Sequence, residues 1–210
     1  MAQSFKQKLD VAVDELSHKD AVLKAIIENV GVCKLRPDRE RFASLVISII
    51  SQQISVAAAR TIRGRLETLL EPGGMQASVI LQKTVEELRA VGLSGRKASY
   101  VFDLAEQVDS GELDLKQMGR KSNADIIDSL CKVRGIGRWT AEMFMIFSLG
   151  RLDVLPRGDL GILNAIRDMY GLADHPEREF LDELEDRWQP YASVASWYCW
   201  RSLDNEPKVG

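Results

Sequence analysis

The residues with the clearest chemical capacity lie in two short stretches of the 210-residue chain. The first runs Cys131-Lys132-Val133-Arg134-Gly135-Ile136-Gly137-Arg138-Trp139-Thr140, with a glycine on each side of Ile136, three basic side chains and no acid. Glycines so spaced permit a very tight turn between helices, because glycine takes positive φ without strain and lets a foreign backbone approach closely. Past such a turn the second helix offers its N-terminal amides to an anion. Lys132, Arg134 and Arg138 add charge and Thr140 a hydroxyl donor, so one DNA phosphate would fit. An ordinary helical corner with solvated basic residues has the same residue types. The second stretch is Leu155-Pro156-Arg157-Gly158-Asp159-Leu160-Gly161, a carboxylate before an apolar helix. Aspartate there ordinarily caps the helix. Cap bonds also favour its charged form, and a fixed carboxylate can stabilise developing positive charge or orient a water.

A third feature is aromatic: Trp139 beside the glycines, and Trp197, Tyr198 and Trp200 near the C-terminus. Core packing is the usual reason for such a cluster. The alternative is a base-stacking pocket, since a π-face attracts a cation and alkylated purines such as 3-methyladenine are cationic. Cys33, Cys131 and Cys199 form no CxxC pair, and His18 and His175 lie far apart, so no zinc site is expected.

These groups need a scaffold, and the pattern specifies helices. Asp20 caps Ala21–Val30, Asp38 opens a segment with Phe42, Leu45, Val46, Ile49 and Ile50 on one face, and Ser55 starts 56–70. Thr84 begins a capping box stopped by Gly92. Ser94 starts Gly95–Asp109, and Ser122 or Asn123 starts 124–133. Helices over 138–149, Leu160–Tyr170, Arg178–Trp188 and 192–203 complete the series. No segment alternates as a strand would, so an all-α fold is expected. Hydrophobic residues at 45% and charged residues at 28% exclude a disordered chain. No apolar run spans a membrane, and the first residues lack a signal core, so an intracellular protein is expected.

A formal net charge of −3 argues against a polyanion ligand if taken as a bare count. The charge is segregated, however. Asp174, Glu177, Glu179, Asp182, Glu183, Glu185 and Asp186 face Arg178 as the one Lys or Arg in 174–186. The acids of 103–114 and 174–186 are expected to face solvent away from DNA.

The glycine stretch resembles the helix-hairpin-helix motif of DNA repair proteins, whose core reads (Pro/Arg)-Gly-Ile-Gly-x-x-Thr-Ala. With Asp159 twenty residues after Trp139, it resembles the helix-hairpin-helix DNA glycosylase superfamily. Residues 49–59, 91–98, 134–141, 156–161 and 187–191 together are similar to the 3-methyladenine DNA glycosylase II family, covering about residues 20–205 in the family order.

The resemblance implies a two-lobed helical bundle forming one domain over 1–210, with the helix-hairpin-helix at about 123–149 and the active site in the cleft between lobes. It leaves no room for the extra N-terminal β domain of some bacterial members. It implies Asp159 as the catalytic carboxylate and Trp139 and Trp197 as walls of the base pocket. Arg134, Gly135, Ile136, Gly137, Arg138 and Thr140 would bind DNA, and Ser94, Arg96 and Lys97 another phosphate. The turn Gln52, Gln53, Ile54 and Ser55 would be the minor-groove wedge that fills the gap left by a flipped base.

The backbone carbonyls of Cys131, Val133 and Ile136 would hold a structural Na+ or K+. No cofactor is expected for catalysis. Where bifunctional members carry a Schiff-base lysine this chain has Trp139, and of the four clustered cysteines of iron–sulfur members it has only Cys199. Both departures imply a monofunctional enzyme without an iron–sulfur cluster. Met143 stands where a broad-specificity member has an aromatic, and Arg134 replaces the commoner proline.

The expected function is excision of alkylated purines from duplex DNA, by hydrolysis of the N-glycosidic bond, as the start of base excision repair. The candidate bases are 3-methyladenine, 7-methylguanine and etheno-adenine. A monomer is expected, acting on DNA in a bacterial cytoplasm or a eukaryotic nucleus. A glycosylase for other damaged or mismatched bases, and a non-catalytic lesion-sensing binder, remain open on the sequence. Because few basic groups are placed to meet phosphates, binding to undamaged duplex should weaken only gently with salt. A titration of affinity against salt concentration checks this, and a steep slope would point to an extended basic surface instead.

Overall fold

In a computed structural model, which describes residues 3–204, the chain forms twelve α-helices and one short 3-10 helix, and no strand among the described residues. In order these are α1 (Phe5–Lys19), α2 (Ala21–Val30), α3 (Arg41–Ser51), α4 (Val56–Leu69), α5 (Ala77–Ile80) and α6 (Val85–Ala90). After them come α7 (Gly95–Asp109), α8 (Asn123–Cys131), α9 (Arg138–Phe147), α10 (Leu160–Tyr170), α11 (Arg178–Trp188) and α12 (Ala192–Asp204), with the 3-10 turn Met118–Arg120 before α8. The described residues divide into two compact units, 38–149 and a second made of the segments before and after it.

Most helix starts follow the caps written in the sequence. Asp20, Ser55, Thr84, Ser94, Ser122 and Asp159 each accept a backbone amide of the first turn. Ser122, not Asn123, is the cap of α8. Asp38 instead accepts the Glu40 amide at 2.9 Å, and α3 begins only at Arg41. α1 was not expected, although Ser4 and Gln7 form a capping box. Several helices end a residue or two before or after the expected position, as α9 does at Phe147, with Gly150 at φ 67° beyond it.

In the continuous unit, α3 buries Leu45, Val46, Ile49 and Ile50 completely and packs on α4, α7 and α9. α8 packs on α9, and α5 and α6 lie against α7. In the discontinuous unit α12 packs on α10 and α2, with Tyr198 and Cys199 wholly buried.

The polar centre of that unit is Asp20, only 3% exposed. Besides the amides of Val22 and Leu23, both at 3.0 Å, it accepts Trp188 Nε1 at 3.0 Å, Arg187 at 3.5 Å and the Tyr170 hydroxyl. Burial alone would raise its pKa, but the hydrogen bonds and the Arg187 charge hold it below the usual carboxylate range. Burial, together with Asp20, pushes Tyr170 up and keeps it a donor.

Because its folded pKa is depressed, the Asp20 contribution is complete above the unfolded value and lost as pH falls through the folded one. Asp20→Ala strands several buried donors, at ~1–3 kcal/mol each. It should lower the melting temperature by roughly 6–12 °C at neutral pH. Melting below about pH 4 should show the gap between wild type and variant narrowing, and a constant gap would refute the coupling.

Candidate active site and nucleic-acid interface

The hairpin joins α8 to α9 within residues 132–137. Gly135 adopts φ 85°, and a Cβ there would stand 2.1 Å from Cδ2 of Tyr100, so both backbone and space require glycine. Gly137 differs. It is extended, at φ −101° and ψ 176°, and nothing lies within 4 Å of where a Cβ would be. It caps α9 with no side-chain bond to the helix amides. Gly135 is therefore needed by the fold, whereas Gly137 puts no side chain over the head of α9.

The arginines are held by acids. Arg134 places both its amide, at 3.0 Å, and its Nε, at 3.2 Å, on Asp103. Arg138 Nε lies 2.9 Å from the buried carboxylate of Glu142. Lys132 is exposed, and Thr140 is buried at 4% exposure.

Asp159 heads α10. Its Oδ1 accepts the Ile162 amide at 2.9 Å and Trp200 Nε1 at 3.0 Å. Gly161 makes this pairing possible, since a Cβ there would lie 3.0 Å from Oδ1 and 3.2 Å from Cδ1 of Trp200. The preceding strap is pinned to α12. Ser193 donates its amide to Leu152 at 2.9 Å and accepts the Val154 amide at 3.0 Å, while Asp153 accepts the Ala192 amide at 3.3 Å. Within the loop, Arg157 is clamped to α11 by Glu185 and Asp182. These carboxylates raise its already high pKa, so it stays charged.

The description "HhH-GPD superfamily base excision DNA repair protein" matches residues 46–190, more than half of the chain. The chain belongs to this superfamily. It is 34% identical over 194 residues to DNA-3-methyladenine glycosylase 1 of Schizosaccharomyces pombe, covering 89% of this chain and 84% of that protein. A DNA-3-methyladenine glycosidase from Bacillus halodurans superposes with a TM-score of 0.85 at 36% identity, over 92% of this chain and 89% of that one. The S. pombe 3-methyladenine DNA glycosylase Mag1, solved with abasic DNA, gives 0.79 at 32% identity, over 92% and 96%.

In this helix-hairpin-helix glycosylase fold the aromatic partner of Asp159 is Trp200. Trp197, expected as a wall of the base pocket, is half-buried and stacks edge-on against Tyr198 with centroids 5.0 Å apart, and Arg201 lies 5.8 Å over its ring. The two indoles stand about 60° apart around α12, and it is Trp200 that donates to Asp159 Oδ1. The sequence signal for Trp200 was Gly161, whose missing side chain admits the indole. Trp139 begins α9 and is 48% exposed, an unusual state for a tryptophan.

In the candidate wedge, Gln53 is exposed at φ 55°, the one non-glycine residue with positive φ among those described. Ile54 is exposed and Ser55 Oγ caps α4. Gln52 turns inward and donates Nε2 to the Gly135 carbonyl at 2.8 Å. Of the expected second phosphate group, Ser94 Oγ accepts the Lys97 amide and Arg96 is exposed. The Lys97 ammonium meets the Ile50 and Gln52 carbonyls.

Most acids of 103–114 and 174–186 do face solvent; of these, exposed Asp182 and the half-buried Asp103 and Glu185 also brace the arginines of the hairpin and the Asp159 loop. Of the candidate cation ligands, Cys131 ends α8, and the Val133 carbonyl accepts the Ile136 amide at 3.1 Å. Carbonyls at a helix C-terminus lack helical donors, which suits a hard cation. No cluster of three or more His, Cys, Asp or Glu residues that could hold a metal occurs among the described residues. No helix among them is long and apolar enough to cross a membrane.

The two hairpin glycines should therefore fail differently. Gly135→Ala should cost ~2 kcal/mol or more of stability, from strain and overpacking against Tyr100. Gly137→Ala should melt close to wild type yet bind duplex DNA several-fold more weakly. Calorimetry and fluorescence anisotropy on the pair check this, and equal melting losses would contradict the assignment.

Proposed function

We propose that this chain is a monofunctional DNA glycosylase that hydrolyses the N-glycosidic bond of alkylated purines in duplex DNA. Its first substrate is 3-methyladenine, with 7-methylguanine and etheno-adenine as further candidates. The observation that carries the proposal is the Asp159 carboxylate, fixed at the head of α10 by the Ile162 amide and the Trp200 indole. Relatives named for 3-methyladenine support the substrate class.

Cleavage of the bond between C1′ and the base nitrogen leaves the electron pair on the base and positive charge on the sugar. A carboxylate held in place stabilises that charge without reorganising, and orients the water that adds to C1′. A purine alkylated at N3 or N7 is already cationic and leaves as a neutral base, with no elaborate general acid. The products are a free base and an abasic site. Trp139 has no amine, so no Schiff base forms and the strand stays uncut. Its indole, 48% exposed, offers a π-face to a cationic base, worth roughly 0.5–2 kcal/mol.

The remaining residues serve the DNA. The amides beyond Gly137 receive a backbone phosphate, with Arg134, Ile136 and Arg138 shaping and charging the hairpin. A Na+ or K+ on the carbonyls of Cys131, Val133 and Ile136 would add positive charge there. Gln53, at the tip of its turn, fills the space left by the flipped nucleotide. The enzyme acts as a monomer inside the cell.

Incubation with randomly methylated duplex should release 3-methyladenine, with strand breaks only after alkali. Asp159→Asn should lower single-turnover release by at least about 10²-fold while binding to abasic duplex persists. Breaks without alkali would overturn the monofunctional assignment. Release confined to oxidised or mismatched bases would favour a different glycosylase. Binding without release, unchanged in Asp159→Asn, would favour a lesion-sensing binder.

A further inference from the structure

Lys97, Tyr100 and Asp103 fall three residues apart on α7 and share one face of it. Each supports part of the two elements assigned above to DNA. Lys97 Nζ donates to the Ile50 carbonyl at 2.7 Å and the Gln52 carbonyl at 2.6 Å, at the C-terminal end of α3 where carbonyls lack helical donors. The Tyr100 ring fills the space that a Cβ at Gly135 would need. Asp103 takes the amide and Nε of Arg134 at the hairpin entrance. The two elements also meet directly, through Gln52 Nε2 on the Gly135 carbonyl at 2.8 Å.

The Gln52 carbonyl belongs to the peptide unit that leads into Gln53. Holding its oxygen fixes the plane whose rotation sets φ of Gln53, and that φ is 55°. A non-glycine residue stays there only where its surroundings enforce it. The ammonium also lies at the negative end of the α3 dipole, where a cation is favoured. Its two bonds are short and charge-assisted, the strong kind. Arg96, next in sequence, is exposed and is the better placed of the two basic side chains to meet a phosphate.

We propose that Lys97 is a positioning residue for the reaction: through the Gln52–Gln53 peptide it holds the wedge tip in its left-handed conformation, in fixed register with the hairpin. Gln53 then enters the helix stack at a set distance from the phosphate gripped beyond Gly137. Lys97 itself touches no DNA. The proposal rests on the glycosylase reading above, because it takes Gln53 as the wedge.

The test compares Lys97→Met, which keeps the stem and removes the charge, with Lys97→Arg, which restores donors. In the DNA-free protein, hydrogen exchange should quicken over residues 51–58 in Lys97→Met and return toward the wild-type rate in Lys97→Arg. Affinity for undamaged duplex and its salt slope should stay near wild type in both. Lys97→Met should lose about tenfold or more in single-turnover release of 3-methyladenine and in preference for a duplex holding a tetrahydrofuran abasic analogue, as expected for losing charge-assisted bonds.

A salt slope lowered by about one, with every duplex weakened alike, would make Lys97 a phosphate contact and overturn the proposal. Unchanged exchange over the turn would overturn it too. If Lys97→Met does not fold, Gln52→Met breaks the neighbouring link and must show the same loss of abasic preference with its salt slope intact; an unaltered preference refutes the coupling. A wild-type protein that releases no base and ignores abasic duplex would defeat the glycosylase reading. The exchange result would still decide whether Lys97 holds the turn.

Discussion

Asp20 brings a charge into a nearly closed site, and the discontinuous unit is arranged so that this charge is tolerable. Isolated, a buried carboxylate costs several kcal/mol or becomes protonated. Here its partners come from three helices: the first amides of α2, Tyr170 at the end of α10, and Arg187 and Trp188 at the end of α11. The segments it joins lie 150 or more residues apart in sequence. Apolar packing of α12 on α10 and α2 supplies the bulk of the contact, but it tolerates sliding; a carboxylate that must satisfy several directed donors does not. α10 is fixed at its C-terminal end by this network and carries Asp159 at its N-terminal end. The position of the candidate catalytic group therefore depends on a buried anion at the other end of its helix.

The same device recurs in smaller form. Asp153 and Ser193 pin the strap before Asp159 to α12, and Asp182 with Glu185 fix Arg157 in the loop itself. In the continuous unit, Lys97, Tyr100 and Asp103 on α7 hold the Gln52–Ser55 turn and the hairpin. Polar side chains here act chiefly on backbone groups and on one another. A loop with few apolar residues has no packing to define it, so directed bonds define it instead.

Much of this was legible in the sequence where the interaction is local. Asp20, Thr84, Ser94 and Asp159 are caps because a side chain three residues from an amide needs no tertiary structure to find it. Gly135 announced a tight turn for the same reason. The bond from Trp200 to Asp159 was not legible, since Trp197 and Trp200 lie on one apolar helix and only the rotation of α12 against α10 decides which indole reaches the carboxylate. The bonds Arg157–Glu185, Arg134–Asp103 and Lys97–Gln52 span 28, 31 and 45 residues, so no local pattern encodes them. α5, at four residues, is too short to show a period. α1 is the instructive miss: its capping box was written in Ser4 and Gln7, and a helical start needs no apolar run before it.

Pairing of the hairpin arginines bears on how such a protein can search DNA. Affinity for undamaged duplex comes almost wholly from exchanging counterions for Lys and Arg on phosphates. Arg134 and Arg138 already have carboxylate partners, so a phosphate that recruits either must compete with Asp103 or Glu142. The exchange returns less than a bare guanidinium would. Backbone amides at a helix N-terminus, by contrast, cannot swing away, so an anion bound there is held by amide direction, which depends on position as charge alone does not. The net charge of −3 is then compatible with a DNA ligand. A hairpin whose arginines are already paired gains less from phosphate charge alone than one with bare guanidiniums would, at every position along a duplex.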